Sequence, residues 1–74
     1  MKVLLVEDEP LLASTLTTGL RAEGFTVMAV ATGVDGLSQA TENDFDVVVL
    51  DIMLPGLNGY EVLRRMRSRG IWTP

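Results

Sequence analysis

Two of the apolar stretches of the chain run straight into acid. Lys2-Val3-Leu4-Leu5-Val6 ends in Glu7-Asp8-Glu9, and Val47-Val48-Val49-Leu50 ends in Asp51. Apolar runs with no polar alternation predict strands buried on both faces, the habit of parallel sheets covered by helices. Elsewhere the period lengthens. Pro10 suits a first helical position, Leu12, Leu16 and Leu20 share one stripe, and Gly24 can stop the pattern, which predicts a helix over residues 10–23. Phe25–Val30 reads as a second strand. Thr32, followed three residues later by Asp35, resembles a capping box opening a helix to about Glu42. Gly33 and Gly36 weaken that helix by about 1 kcal/mol each relative to Ala. Asn43-Asp44 breaks it, and Phe45–Leu50 is the third strand. After Leu54-Pro55-Gly56 turns the chain, Asn58 with Glu61 forms a second capping box. It starts a helix through about Arg69 with Val62, Leu63 and Met66 inward, ended by Gly70.

Strand, helix, strand, helix, strand, helix with short links predicts an α/β fold with right-handed crossovers and a parallel sheet. No repeat, long linker or low-complexity segment interrupts the order. Ile71-Trp72-Thr73-Pro74 follows as though a fourth strand were about to begin. With 74 residues the chain is half the size of an ordinary domain, and its stability is expected to be marginal. A composition 47% hydrophobic and 22% charged excludes disorder for the whole chain, and the lack of cysteine removes disulfides and thiolate metal sites. The net charge of −4 is unevenly placed: residues 1–63 carry ten acids against Lys2 and Arg21. That balance disfavours nucleic-acid binding by this segment and suits a cation. Arg64, Arg65, Arg67 and Arg69 sit where cations complement a helix dipole, which explains the cluster without a ligand. No apolar run reaches the roughly 20 residues of a membrane span, and the start lacks the marks of a signal peptide, so no membrane contact is expected and the cytoplasm is the expected location.

In open α/β sheets, chemistry collects at the carboxyl ends of the strands. Taken singly, Glu7-Asp8-Glu9 suits an acidic helix N-terminus and Asp51 suits the opening of a turn. Taken together, each acid ends an apolar strand. Were those strands adjacent, about 4.8 Å apart, Asp8 and Asp51 would face each other with Glu7 beside them. Three carboxylates so close repel unless a cation or protons neutralise them. An oxygen-only cluster points to a hard ion, and Mg²⁺ fits best because it binds through one or two carboxylates, keeps waters and leaves room for a phosphate. An Asp beside Mg²⁺ can act as a nucleophile on phosphorus, giving an acyl phosphate.

Three segments, Val3 to Glu9, Val47 to Gly56 and Gly59-Tyr60-Glu61, carry a resemblance to the first part of a bacterial response-regulator receiver domain, and it extends over all 74 residues. The resemblance implies a flavodoxin-like fold with sheet order 2-1-3 in the part present. It implies that Asp51 accepts a phosphoryl group from a phosphohistidine on a sensor histidine kinase. Asp8 would ligate Mg²⁺ together with Asp51 and the backbone carbonyl of Met53, and Glu7 would act through water. Pro55 and Gly59 match loop-shaping positions. By the same resemblance residues 1–74 form an incomplete receiver domain of three strands and three helices, with no second domain in this chain and an output domain, most often DNA-binding, in a longer parent. Strands 4 and 5, a hydroxyl residue, a lysine and an aromatic switch residue of the family would then lie outside it. Lys2 is no substitute, since it starts the strand that Asp8 follows. Loss of a fixed donor to a transferring group typically costs about 10²- to 10³-fold in rate, so phosphorylation is expected to be slow and the switch missing.

Two other classes compete. A phosphatase of the haloacid-dehalogenase kind needs a second Asp two residues after the nucleophile, where this chain has Met53. An interaction module with no phosphoryl transfer is the stronger rival: a truncated piece would self-associate through the exposed edge of strand 3 or an uncovered apolar face. The chain is expected to be a signalling protein and not a dedicated enzyme.

Overall fold

A computed structural model describes residues 1–74. Six elements follow one another: β1 (Lys2–Val6), α1 (Pro10–Ala22), β2 (Thr26–Val30), α2 (Gly33–Glu42), β3 (Val47–Leu50) and α3 (Gly59–Ser68). The strands form one parallel sheet in the order β2-β1-β3, the 2-1-3 order expected above. β1 is the central strand, with Val6 level with Val30 on one side and with Leu50 on the other. The helices begin where local chemistry places them. The Thr32 side chain accepts from the Asp35 N–H at 3.1 Å, and Asn58 accepts from the Glu61 N–H at 3.0 Å. Each satisfies a donor that has no partner within the helix.

Alternate residues of β1 feed two separate cores. Leu4 and Val6 pack with Leu37, Ala40, Phe45, Leu54, Val62 and Met66 under α2 and α3, whereas Val3 and Leu5 join Val27 on the face of α1. α1 buries no residue completely; Leu20 reaches the smaller core, while Leu12 and Leu16 remain 47% and 37% exposed. The expected α1 stripe therefore exists but is only partly covered.

Two expectations are corrected. β3 lies at the edge of the sheet, as expected, but it is not buried on both faces: its residues are half-buried or, at Val49, exposed, and β1 is the strand that is closed in. Leu63 is exposed while Val62 and Met66 are buried, because the part of α3 that meets the core is narrower than the apolar stripe. Gly33 and Gly36 interrupt nothing. Both are buried, and a Cβ on Gly36 would stand 2.8 Å from Val6 Cγ2, so the missing side chain lets α2 lie close on β1. Beyond α3 the chain returns along β3. The Val48 N–H donates to the Pro74 carbonyl at 2.8 Å, and Arg67 Nη1 donates to the carbonyls of Ile71 (2.7 Å) and Thr73 (3.1 Å) while lying over the Trp72 ring. Arg67 thus ties down the segment beyond its own helix, a part that dipole complementarity did not foresee.

Candidate functional site

The parallel register brings the two acid-ended strands to one level. With Val6 opposite Leu50, the next residues are Glu7 and Asp51, and the Asp51 N–H donates to the Val6 carbonyl at 3.1 Å. Glu7, Asp8 and Asp51 each place a carboxylate oxygen within 4.8 Å of the others; Glu7 is buried, Asp51 half-buried and Asp8 exposed. A buried acid, an intermediate one and an open one make a pocket with a floor and a mouth. The third acid of the first run is diverted. Glu9 is the N-cap of α1, its carboxylate accepting from the Leu12 N–H at 2.6 Å. The helix N-terminus reading thus holds for Glu9, and the cluster reading for Glu7 and Asp8.

Electrostatics follow from the crowding. Burial raises the Glu7 carboxyl above its ordinary value of 4.5; hydrogen bonding with Asp51 and the charges of Asp51 and Asp8 push the same way, against the Glu9 backbone N–H. A proton held on Glu7 relieves the repulsion, and so would a cation.

Met53 is drawn in by its backbone. Its N–H donates to Asp51 Oδ1 at 3.1 Å while its side chain is 82% exposed. The loop that carries it is anchored by Leu54, which is buried in the larger core, and by the Gly59 N–H, which donates to the Ile52 carbonyl at 3.1 Å. A Cβ at Gly59 would strike the Asp51 carbonyl, so glycine there admits α3 to the end of β3. Gly56 supplies the left-handed turn, at φ +69°. Sequence reasoning read Leu54-Pro55-Gly56 as a turn and missed that Leu54 is also its anchor. A cavity of about 580 Å³ opens beside the cluster, lined by Asp8, Ile52, Met53, Leu54, Pro55, Asn58 and Tyr60. The donors are oxygens of mixed burial with open space alongside, which fits a hard, partly hydrated divalent cation.

A three-stranded parallel sheet with acids at its carboxyl edge defines a class, and comparison with known proteins gives the family. The model of the response regulator receiver domain matches residues 3–74. The chain belongs to that family. It is 45% identical over 74 residues to the transcriptional regulatory protein TcrA of Mycobacterium tuberculosis, covering 100% of this chain and 29% of that protein. The chain spans less than a third of the length of the curated relatives of this kind. Among solved structures it resembles the receiver domain of the Francisella response regulator 1452, with a TM-score of 0.95, 32% identity and coverage of 99% of this chain and 60% of the other. It also resembles the Thermotoga maritima response regulator TrrA in complex with Mg²⁺-BeF, at TM-score 0.88, 32% identity and coverage of 92% and 59%. TrrA has in addition been solved in complex with the histidine kinase ThkA. Receiver domains are signalling modules, which agrees with the expectation of a signalling protein.

Proposed function

We propose that this chain is the phosphoacceptor portion of a two-component response regulator, with Asp51 the residue that takes the phosphoryl group from a phosphohistidine of a sensor histidine kinase. The convergence of Glu7, Asp8 and Asp51 within 4.8 Å carries the reading. In the transfer, an Asp51 carboxylate oxygen attacks phosphorus, the phosphorus–nitrogen bond to the histidine breaks, and an acyl phosphate forms as the imidazole departs with the electron pair and takes up a proton. Asp8, Asp51 and the Met53 carbonyl would hold Mg²⁺, with Glu7 acting through water. That ion, when bound, neutralises charge on the phosphoryl oxygens. The Met53 N–H steadies the Asp51 carboxylate through Oδ1. The Mg²⁺-bound form of TrrA and its kinase complex support the cofactor and the partner. The names of the relatives, transcriptional regulators, support an output in gene expression in a longer parent and a cytoplasmic location; no helix here is long and apolar enough to cross a membrane.

Incubation with phosphoramidate and Mg²⁺, followed by intact-mass analysis, tests this. One added phosphoryl group, labile to hydroxylamine and lost in Asp51→Asn, is expected; unchanged labelling in Asp51→Asn overturns the assignment. A second reading, a module that self-associates without phosphoryl transfer, draws on the exposure of Leu12, Leu16 and Val49. Sedimentation at high concentration decides it: a persistent monomer removes that reading.

A further inference from the structure

The loop from Asp51 to Asn58 is held at its start by the Met53–Asp51 bond and at its close by Gly59, and a third support comes from α2. A Cβ at Gly33 would land on the Leu57 carbonyl oxygen and come within 3.0 Å of both the Leu57 carbonyl carbon and Val62 Cγ2. Neither neighbour yields easily. The first is backbone, and Val62 is 1% exposed in the larger core, where Leu57 also packs. Gly36, on the same helix, bears on the Val6 side chain and not on the loop. We infer that Gly33 is a positioning residue for the cation site: by seating the α2 backbone directly on Leu57, it fixes the segment carrying the Met53 carbonyl relative to Asp8 and Asp51.

The inference rests on the Mg²⁺ reading above and adds to it a residue with no polar side chain. Mg²⁺ demands near-ideal geometry and tolerates displaced ligands poorly. A methyl group at position 33 must push the loop or lift the helix, because the packed interior has no slack to absorb it. On helix propensity alone Gly33→Ala would firm α2, so a loss of Mg²⁺ affinity would run against the local effect of the substitution.

Mg²⁺ alone is titrated into the protein while the backbone amide NMR signals of Asp8 and residues 51–54 are followed. Gly33→Ala is expected to raise the Mg²⁺ midpoint by about tenfold, the lower end of the effect of disturbing an outer support of a metal site, and to shift the amides of Met53 and Leu57 before any Mg²⁺ is added. Ala40→Gly, which weakens the same helix away from the loop, is expected to leave the midpoint unchanged. An unchanged midpoint in Gly33→Ala, or an equal loss in Ala40→Gly, overturns the inference. Should Gly33→Ala not fold, Leu57→Ala takes its place, since it frees the loop from the core without a backbone clash; a wild-type midpoint there overturns the inference equally. A wild-type protein silent to Mg²⁺ overturns the metal-site reading itself, and the inference with it.

Discussion

The two faces of the sheet are built from the same strand and end up unlike each other. On the face of α2 and α3, six buried residues from two helices and two loops close over Leu4 and Val6. On the face of α1, three buried residues have only partly buried neighbours, and α1 contributes none of its own to the buried set. The difference reaches the site. The loop that carries Met53 is plugged by Leu54 into the deeper face, and α3 is fitted to the end of β3 through Gly59; α1 offers the site only the strand end that precedes it. Rigidity at the acid cluster therefore comes mainly from one side of the sheet.

The largest test of that asymmetry is a pair of truncations. Met66→Ala, on the deep face, is expected to cost about 2–5 kcal/mol, a large part of the ~4–11 kcal/mol typical of a chain this long. Leu16→Ala, on the shallow face, should cost less than about 1 kcal/mol because the side chain already meets water. Urea unfolding measures both, and equal costs would break the comparison. Smaller and opposite effects should follow from adding one methyl group to each face. Gly36→Ala meets Val6 and should destabilise by about 1–3 kcal/mol. Gly19→Ala, where a Cβ would find open space in α1, should stabilise by up to about 1 kcal/mol.

The smallest effect is electrostatic and belongs to the strand both faces share. Because the folded protein holds a proton on Glu7 above the ordinary value of 4.5, the unfolded chain releases that proton first as the pH rises. The folded state binds more protons through that window, so stability falls with rising pH. The contribution is complete below about pH 4.5 and gone once the pH passes the raised value in the folded protein. Urea midpoints of the metal-free protein across this range should decline, and Glu7→Gln should flatten that part of the decline; an unaltered slope in Glu7→Gln would assign it to other groups.

Much of the fold was legible because its signals are local. Thr32 and Asn58 cap the helices they were expected to cap, and the apolar runs ending at Val6 and Leu50 are strands in the expected order. The adjacency of Asp8 and Asp51 followed from two strand ends and one assumption about neighbours. What escaped was tertiary. Gly33 and Gly36 look like flaws in a helix until Leu57 and Val6 are seen beside them. Leu63 lies next to the buried face in helical period, yet only packing decides where that face stops. Glu9 differs from Glu7 in sequence only by its place next to Pro10, and the structure makes one a cap and the other the floor of a pocket.

The sheet order has a consequence in time as well as in space. β1, the most enclosed strand, is made before both of its partners. Val3 must wait for Val27, and then for Val47, which leaves the ribosome 44 residues after it. At a synthesis rate of about 5–20 residues per second, that second wait lasts roughly 2–9 s. During it Lys2–Val6 lacks the neighbours that close it in, so the segment that makes the finished sheet secure is, in the nascent chain, an apolar stretch open to pairing with other chains.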